Sequence, residues 1–257
     1  MILVDTHTHL FLEQFDEDRP EVIEESVKEG VQKLFIPNID SSTTGKVVKM
    51  GKDYPGICYP IIGLHPTSVK ENYRDELEDV EHWIIKEKFY GIGETGIDLY
   101  WDKTYRKEQE IAFRYQIDLA KKTGLPLIIH SRESFDEIFA IVDELNDDKL
   151  KGIFHSFTGT CEQANKILSY KGFKIGIGGI VTFKNSGLAE IVAKIGLEHL
   201  VLETDSPYLA PTPKRGKRNQ SSYLPFIAQK IADVYHVDIK TVAKITTENA
   251  KNLFMIG

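Results

Sequence analysis

Eight short apolar runs rich in β-branched residues recur along the chain, at residues 2–4, 31–39, 57–64, 90–93, 126–129, 152–154, 173–177 and 200–202, with polar, helix-patterned stretches between them. Spread over 257 residues, they are spaced at about 32 residues, the length of one strand-plus-helix unit. Near-continuous apolar strands, rather than alternating ones, are what a parallel sheet covered by helices requires. The length also sits near the roughly 250 residues at which one α/β barrel closes. The expected fold class is α/β, a TIM-type (β/α)8 barrel forming a single domain over residues 1–257. A doubly wound open sheet is the structural alternative.

The intervening stretches carry helix signals. Ser41-Ser42-Thr43-Thr44 offers side-chain oxygens for an N-cap, and Ala112, Tyr115 and Leu119 recur at helical spacing before a stop at Gly124. No linker rich in Pro, Gly or Ser divides the chain. Residues 206–222, after the eighth run, form the one long irregular stretch.

Composition excludes more than it assigns. Lys and Arg total 32 against 39 Asp and Glu, a formal charge of -7, so a broad polyanion-coating surface is not expected and any polyanion site must be local or neutralised by a cation. Cys58 and Cys161 are far apart and lack metal-ligand spacing, which argues against a disulfide framework or a thiolate zinc site. No basic segment followed by an apolar core opens the chain, and no apolar run approaches the roughly 20 residues of a membrane span. The expected location is cytoplasmic, with no membrane and no obligate protein partner.

His7-Thr8-His9 sets two imidazoles at i and i+2, which directs both to one face of an extended strand. The pair closes the first apolar run. Glu94, His130, His155 and Asp205 close the fourth, fifth, sixth and eighth. Strand C-terminal ends form the active-site rim of an α/β barrel. Taken singly, each residue reads as a satisfied histidine or a capping acid. Together they place four imidazoles and two carboxylates around one point, where a shared cation offsets the cost of burying them. Nitrogen and oxygen donors without thiolate suit magnesium, manganese, zinc or nickel, and six donors exceed what one tetrahedral ion takes. One or two divalent ions are expected, two fitting better with Glu94 as the bridge. His82, His199 and His236 lie away from strand ends and read as surface residues.

The motifs that carry these residues are Asp5-Thr-His-Thr-His-Leu10, Gly63-Leu-His-Pro66, Gly93-Glu-Thr-Gly-Ile-Asp98, Ile129-His-Ser-Arg132, His155-Ser-Phe-Thr-Gly159 and Glu203-Thr-Asp-Ser-Pro207. In this order and spacing the chain resembles the TatD family of metal-dependent deoxyribonucleases, from its first residues to Thr247-Glu-Asn-Ala-Lys-Asn-Leu-Phe254. The resemblance implies that His7, His9, Glu94, His130, His155 and Asp205 are the metal ligands and that the substrate is DNA, single-stranded or at duplex ends, cleaved as by an exonuclease. Phe11 and Arg218-Asn-Gln-Ser-Ser-Tyr223 depart from the family pattern and bear on substrate contacts.

Phosphodiester hydrolysis needs hydroxide near neutral pH, which a bound divalent ion generates by acidifying water. Asp205 and Glu94 are the expected catalytic carboxylates, with His65 set to reach the scissile phosphate. Arg132 and Arg218 are expected to contact phosphate oxygens, ahead of Lys214, Arg215 and Lys217. Tyr100, Trp101 and Tyr208 border the same loops, where they could stack on unpaired bases. The competing reading is an amidohydrolase-type enzyme acting on a small amide, lactone or phosphoester. Relatives of that class with a bridging carboxylated lysine carry Lys at the fourth strand end, where this chain has Glu94. A non-catalytic metal-binding protein would lack a donor or disrupt a strand end, and neither occurs here.

Overall fold

The computed structural model describes residues 1–257 and contains eight strands, all parallel to their neighbours. β1 (Leu3–Asp5), β2 (Val31–Pro37) and β3 (Cys58–Ile61) pair consecutively. So do β4 (Ile92–Asp98), β5 (Leu127–Arg132), β6 (Gly152–Phe154), β7 (Phe173–Ile177) and β8 (Leu200–Leu202). Backbone bonds close the two remaining seams. The Ile62 N–H donates to the Gly91 carbonyl at 3.1 Å and the Gly93 N–H to the Ile62 carbonyl at 2.7 Å, joining β3 to β4. The Thr6 N–H donates to the Leu202 carbonyl at 3.0 Å and the Asp205 N–H to the His7 carbonyl at 2.9 Å, joining β8 to β1. The strand order runs from one to eight and returns, so the sheet is a closed barrel and the open-sheet alternative is excluded.

Helices α1 (Arg19–Lys28), α2 (Ser41–Asp53), α3 (Tyr73–Lys86), α4 (Arg106–Thr123), α5 (Phe135–Leu145), α6 (Cys161–Ser169) and α7 (Leu188–Val192) connect successive strands, and α8 (Leu224–Tyr235) and α9 (Ile239–Phe254) follow β8. α4 ends where the sequence placed its stop, at Gly124, whose φ of 71° is left-handed. α2 begins at the first residue of the hydroxyl run, so its cap is the residue before it. Asp40 accepts the Ser42 N–H at 3.1 Å while the Thr43 hydroxyl receives the Asp40 N–H, so the carboxylate caps the helix and the hydroxyls complete the capping box. No helix is long and apolar enough to cross a membrane.

Two apolar layers follow from the period-2 alternation of each strand. Leu3, Leu34, Ile129, Ile175 and Leu202 face outward and pack on the helices, in one cluster with Val22, Val47, Phe113 and Ile227. Val4, Phe35, Ile128, Ile153 and Val201 face the interior, which Ala250, Leu253 and Phe254 of α9 close from one end. Phe254 stacks on Phe35 with ring centroids 3.7 Å apart. Burying each such side chain contributes roughly 1.5–3 kcal/mol.

β4 runs longer than its apolar run. The run stops at Gly93, but Thr95, Gly96, Ile97 and Asp98 continue the ladder opposite Ile129, His130, Ser131 and Arg132. Two glycines permit this. Gly93 and Gly96 have φ of 151° and 141°, and a Cβ on Gly96 would lie 2.1 Å from the His130 carbonyl oxygen. Glu94 therefore lies inside β4, and His130 inside β5, rather than just beyond the strand ends.

Candidate metal centre

The inward parity that puts Ile128, Ile153 and Val201 in the barrel interior brings the next inward positions, His130, His155 and Glu203, to its C-terminal rim. β1 delivers His7 and His9 just beyond its end, and the turn after β8 delivers Asp205, whose backbone is left-handed at φ 54°. All six expected donors converge, and the two oxygens of Glu94 sort them into two groups. Glu94 Oε2 lies 3.0 Å from His7 Nε2 and 3.6 Å from His9 Nε2, and Asp205 Oδ1 lies 3.6 Å from His9 Nε2. Glu94 Oε1 lies 2.7 Å from His130 Nδ1, 3.3 Å from His155 Nε2 and 3.4 Å from His65 Nε2.

His65 thus stands beside the second group. Its Nδ1 accepts the Thr67 N–H at 3.1 Å, which leaves the proton of a neutral imidazole on Nε2, the atom that faces Glu94.

Electrostatics follow from this crowding. Burial opposes ionisation of Glu94, but the imidazoles of His155, His7 and His65 overcome it and hold the carboxyl well below its usual range. Asp205 is lowered in the same way, against burial, by its hydrogen bond with His9 and by the charge of His155. Burial depresses His7 and His65. His155 goes the other way: against burial, Glu203 and Glu94 push it up to about 10. Asp98 and Glu94 raise His130 likewise.

The donor chemistry fits divalent cations. Two Nε2 atoms, those of His7 and His9, approach to 3.2 Å beside a carboxylate oxygen, an arrangement that a shared cation satisfies better than protons do. The Nδ1 atoms of the same two rings are buried without a partner. His7, His9 and Glu94 form one cluster able to hold an ion, and His65, Glu94 and His130 another.

Two carboxylates escaped the sequence reading. Asp98 Oδ2 lies 2.9 Å from His130 Nε2, and Glu203 Oε1 lies 3.0 Å from His155 Nδ1. Both stand inside quoted motifs, but their partners are 32 and 48 residues away, so no local pattern marks them. A carboxylate behind a ligand imidazole is a recurrent feature of metal sites and was the available signal.

Above the centre lies a cavity of about 440 Å3, lined by His9, His65, Glu94, Asp98, His130, His155 and Asp205, with Arg132, Trp101, Tyr208 and Leu209 at its mouth. The Arg132 guanidinium sits 4.0 Å from the Tyr100 ring centroid and 5.2 Å from that of Trp101. Arg218 is not brought to this cavity. Its guanidinium is bidentate to Asp18, at 2.9 and 2.6 Å, donates to the Gln14 carbonyl and covers the Phe15 ring. The neighbouring cations are also turned elsewhere, Lys214 over Tyr223 and Arg215 over Phe183. His82 lies in α3, and His199 and His236 at helix ends, apart from the centre.

A family profile described as TatD related DNase matches residues 4–255. A Bacillus subtilis metal-dependent hydrolase, YabD, is 40% identical over the full length of both chains. A Rahnella protein named 3'-5' ssDNA/RNA exonuclease TatD is 30% identical over 95% of each chain. The crystal structure of YjjV, a TatD homologue from Escherichia coli K12, superposes with a TM-score of 0.93 at 26% identity, covering 99% of this chain and 98% of that one.

Proposed function

The chain belongs to the TatD family of metal-dependent hydrolases, and on that premise we propose that it is a phosphodiesterase that removes nucleotides from the ends of single-stranded DNA. The observation that carries this reading is the division of the donors by Glu94: His7, His9 and Asp205 gather at one carboxylate oxygen, and His130 and His155 at the other, with the His65 N–H beside them. A cation held by each group would suit in-line phosphoryl displacement, because charge develops on both the attacking and the leaving oxygen. Divalent cations held by these residues would supply Lewis acidity, acidifying water and neutralising a phosphoryl oxygen.

The residues of the chain do the rest. Asp205, ionised at neutral pH, faces the cavity and is placed to take the proton of the attacking water. His65, neutral and protonated on Nε2, donates to a phosphate oxygen. Arg132 forms no ion pair, unlike Arg114 and Arg218, so its donors are free for a second phosphate oxygen. Tyr208, half exposed at the mouth and 6.3 Å from the His9 ring, offers a face to the base.

The test is an assay of metal-stripped protein restored with magnesium, manganese or zinc, against single-stranded and duplex DNA beside lactones and dipeptides. Metal-dependent release of mononucleotides from single strands is expected. Hydrolysis confined to the lactones and dipeptides would overturn the reading.

A further inference from the structure

A cavity of about 440 Å3 has room for one nucleotide-sized ligand, and a polynucleotide that reacts there must leave it across the rim. Two neighbouring depressions share lining residues with it. The first, toward Asp102 and Tyr105, holds only about 90 Å3, too little for a nucleotide, and its one cation, Lys70, is paired with Asp102. The second, of about 460 Å3, lies between the loops after β5 and β6 and is lined by Ser131, Arg132, Glu133, Phe135, Thr158 and Thr160. Arg132 is the one residue it shares with the reaction cavity. One guanidinium, held by aromatic rings rather than by a carboxylate, therefore stands on the ridge between the two.

We propose that this second groove is the track for the nucleotides adjoining the reacting one, with the strand crossing the ridge at Arg132. The inference rests on the nuclease reading above and deepens it. Hydroxyls of Ser131 and Thr158 line the walls, the Arg132 guanidinium offsets the one carboxylate there, that of Glu133, and the half-buried Phe135 ring contributes an apolar surface, so the groove combines phosphate donors with a face for a base. It gives affinity that grows with strand length and is irrelevant to a mononucleotide ester.

The groove contains its own handle for a test. Cys161, partly exposed, lines it, whereas Cys58 is buried and its thiol is pushed up to about 12, so a maleimide modifies the first selectively. The metal-loaded protein is treated with a bulky maleimide, its circular dichroism checked, and hydrolysis followed on a long single strand and on a mononucleotide aryl phosphodiester. The adduct is expected to show a KM for the strand raised about tenfold, as for loss of one stacked nucleotide, with aryl ester turnover unchanged. Treated Cys161→Ser should keep the KM it had before treatment, and Thr158→Trp, which fills the groove without reagent, should reproduce the adduct. An unchanged KM for the strand in the adduct and in Thr158→Trp overturns the track. So does an equal loss on both substrates, which would place the effect in the reaction cavity. An untreated enzyme that hydrolyses neither ester overturns the nuclease reading, and the track with it.

Discussion

Glu203 Oε1 accepts the Nδ1 proton of His155 at 3.0 Å, from a side chain with no solvent exposure. That bond keeps hydrogen on Nδ1, so Nε2, the atom that faces Glu94, is the nitrogen that gives up its proton and turns a lone pair to a cation when one binds. The same carboxylate accepts the Ser156 N–H, which ties it to the turn that carries the histidine. Glu203 is a positioning residue, acting on the centre through an imidazole.

Removing the charge of Glu203 should therefore weaken cation binding without unfolding the barrel. Glu203→Gln keeps an acceptor oxygen and is expected to lose about tenfold in manganese or zinc affinity, and Glu203→Ala up to about 100-fold. Titration calorimetry reads the affinity, and far-ultraviolet circular dichroism checks the fold. Parental affinity in both variants would remove the orienting role.

A second expectation concerns protons. His155 is pushed up to about 10 and His130 is raised, so at neutral pH the cation-free centre holds protons on imidazoles that a cation needs as lone-pair donors. Cation binding should release them, and apparent affinity should rise with pH through the neutral and mildly alkaline range. Zinc added to weakly buffered protein at pH 7 should acidify the solution, and His155→Ala should release less. Binding with no pH change would mean the rings are already neutral.

The six rim residues were legible because βα periodicity alone assigns strand ends, and barrel closure then brings strand ends together. Asp98 and Glu203 were not, since an acid at the end of a strand shows its purpose only once the histidine of another strand is beside it. β4 was cut short for a related reason: Thr95, Gly96 and Asp98 look like a turn until the ladder with β5 is seen. Within the basic run, nothing local separates Arg218 from the other cations, because its partner Asp18 lies 200 residues earlier. Arg132 could be placed at the same rim from its position two residues after His130 in β5.

Asp5 gives the fold a pH dependence of its own. It is fully buried at the β1–β8 seam, where Oδ2 accepts the Thr204 hydroxyl at 2.6 Å and Oδ1 accepts the Thr204 N–H at 2.9 Å. Burial nevertheless outweighs those bonds and pushes its carboxyl up to about 7. The unfolded chain ionises near the ordinary 3.8, so between the two values the folded state holds a proton that the unfolded state has lost. Stability should fall as pH rises through that window, by on the order of 4 kcal/mol in total, and level off above it. Urea unfolding of cation-free protein across the window, compared with Asp5→Asn, isolates the contribution: the variant should show the shallower slope. Equal slopes would assign the dependence to other groups.

Arg218 is expected to anchor the loop after β8 rather than to bind substrate. Its two bonds to Asp18 span from that loop to the start of α1, its bond to the Gln14 carbonyl adds a third tie, and its guanidinium lies 4.4 Å from the Phe15 ring centroid. The pair is partly solvated, so its loss should cost about 1 kcal/mol or less of global stability. The local effect should be larger, because residues 206–220 contain no helix or strand that would hold them otherwise. Arg218→Ala and Asp18→Asn should both speed proteolytic cleavage within the loop while leaving KM for a mononucleotide aryl ester within about twofold, whereas Arg132→Ala should raise that KM by about tenfold or more. A KM increase in Arg218→Ala that Asp18→Asn does not share would return Arg218 to direct contact with substrate.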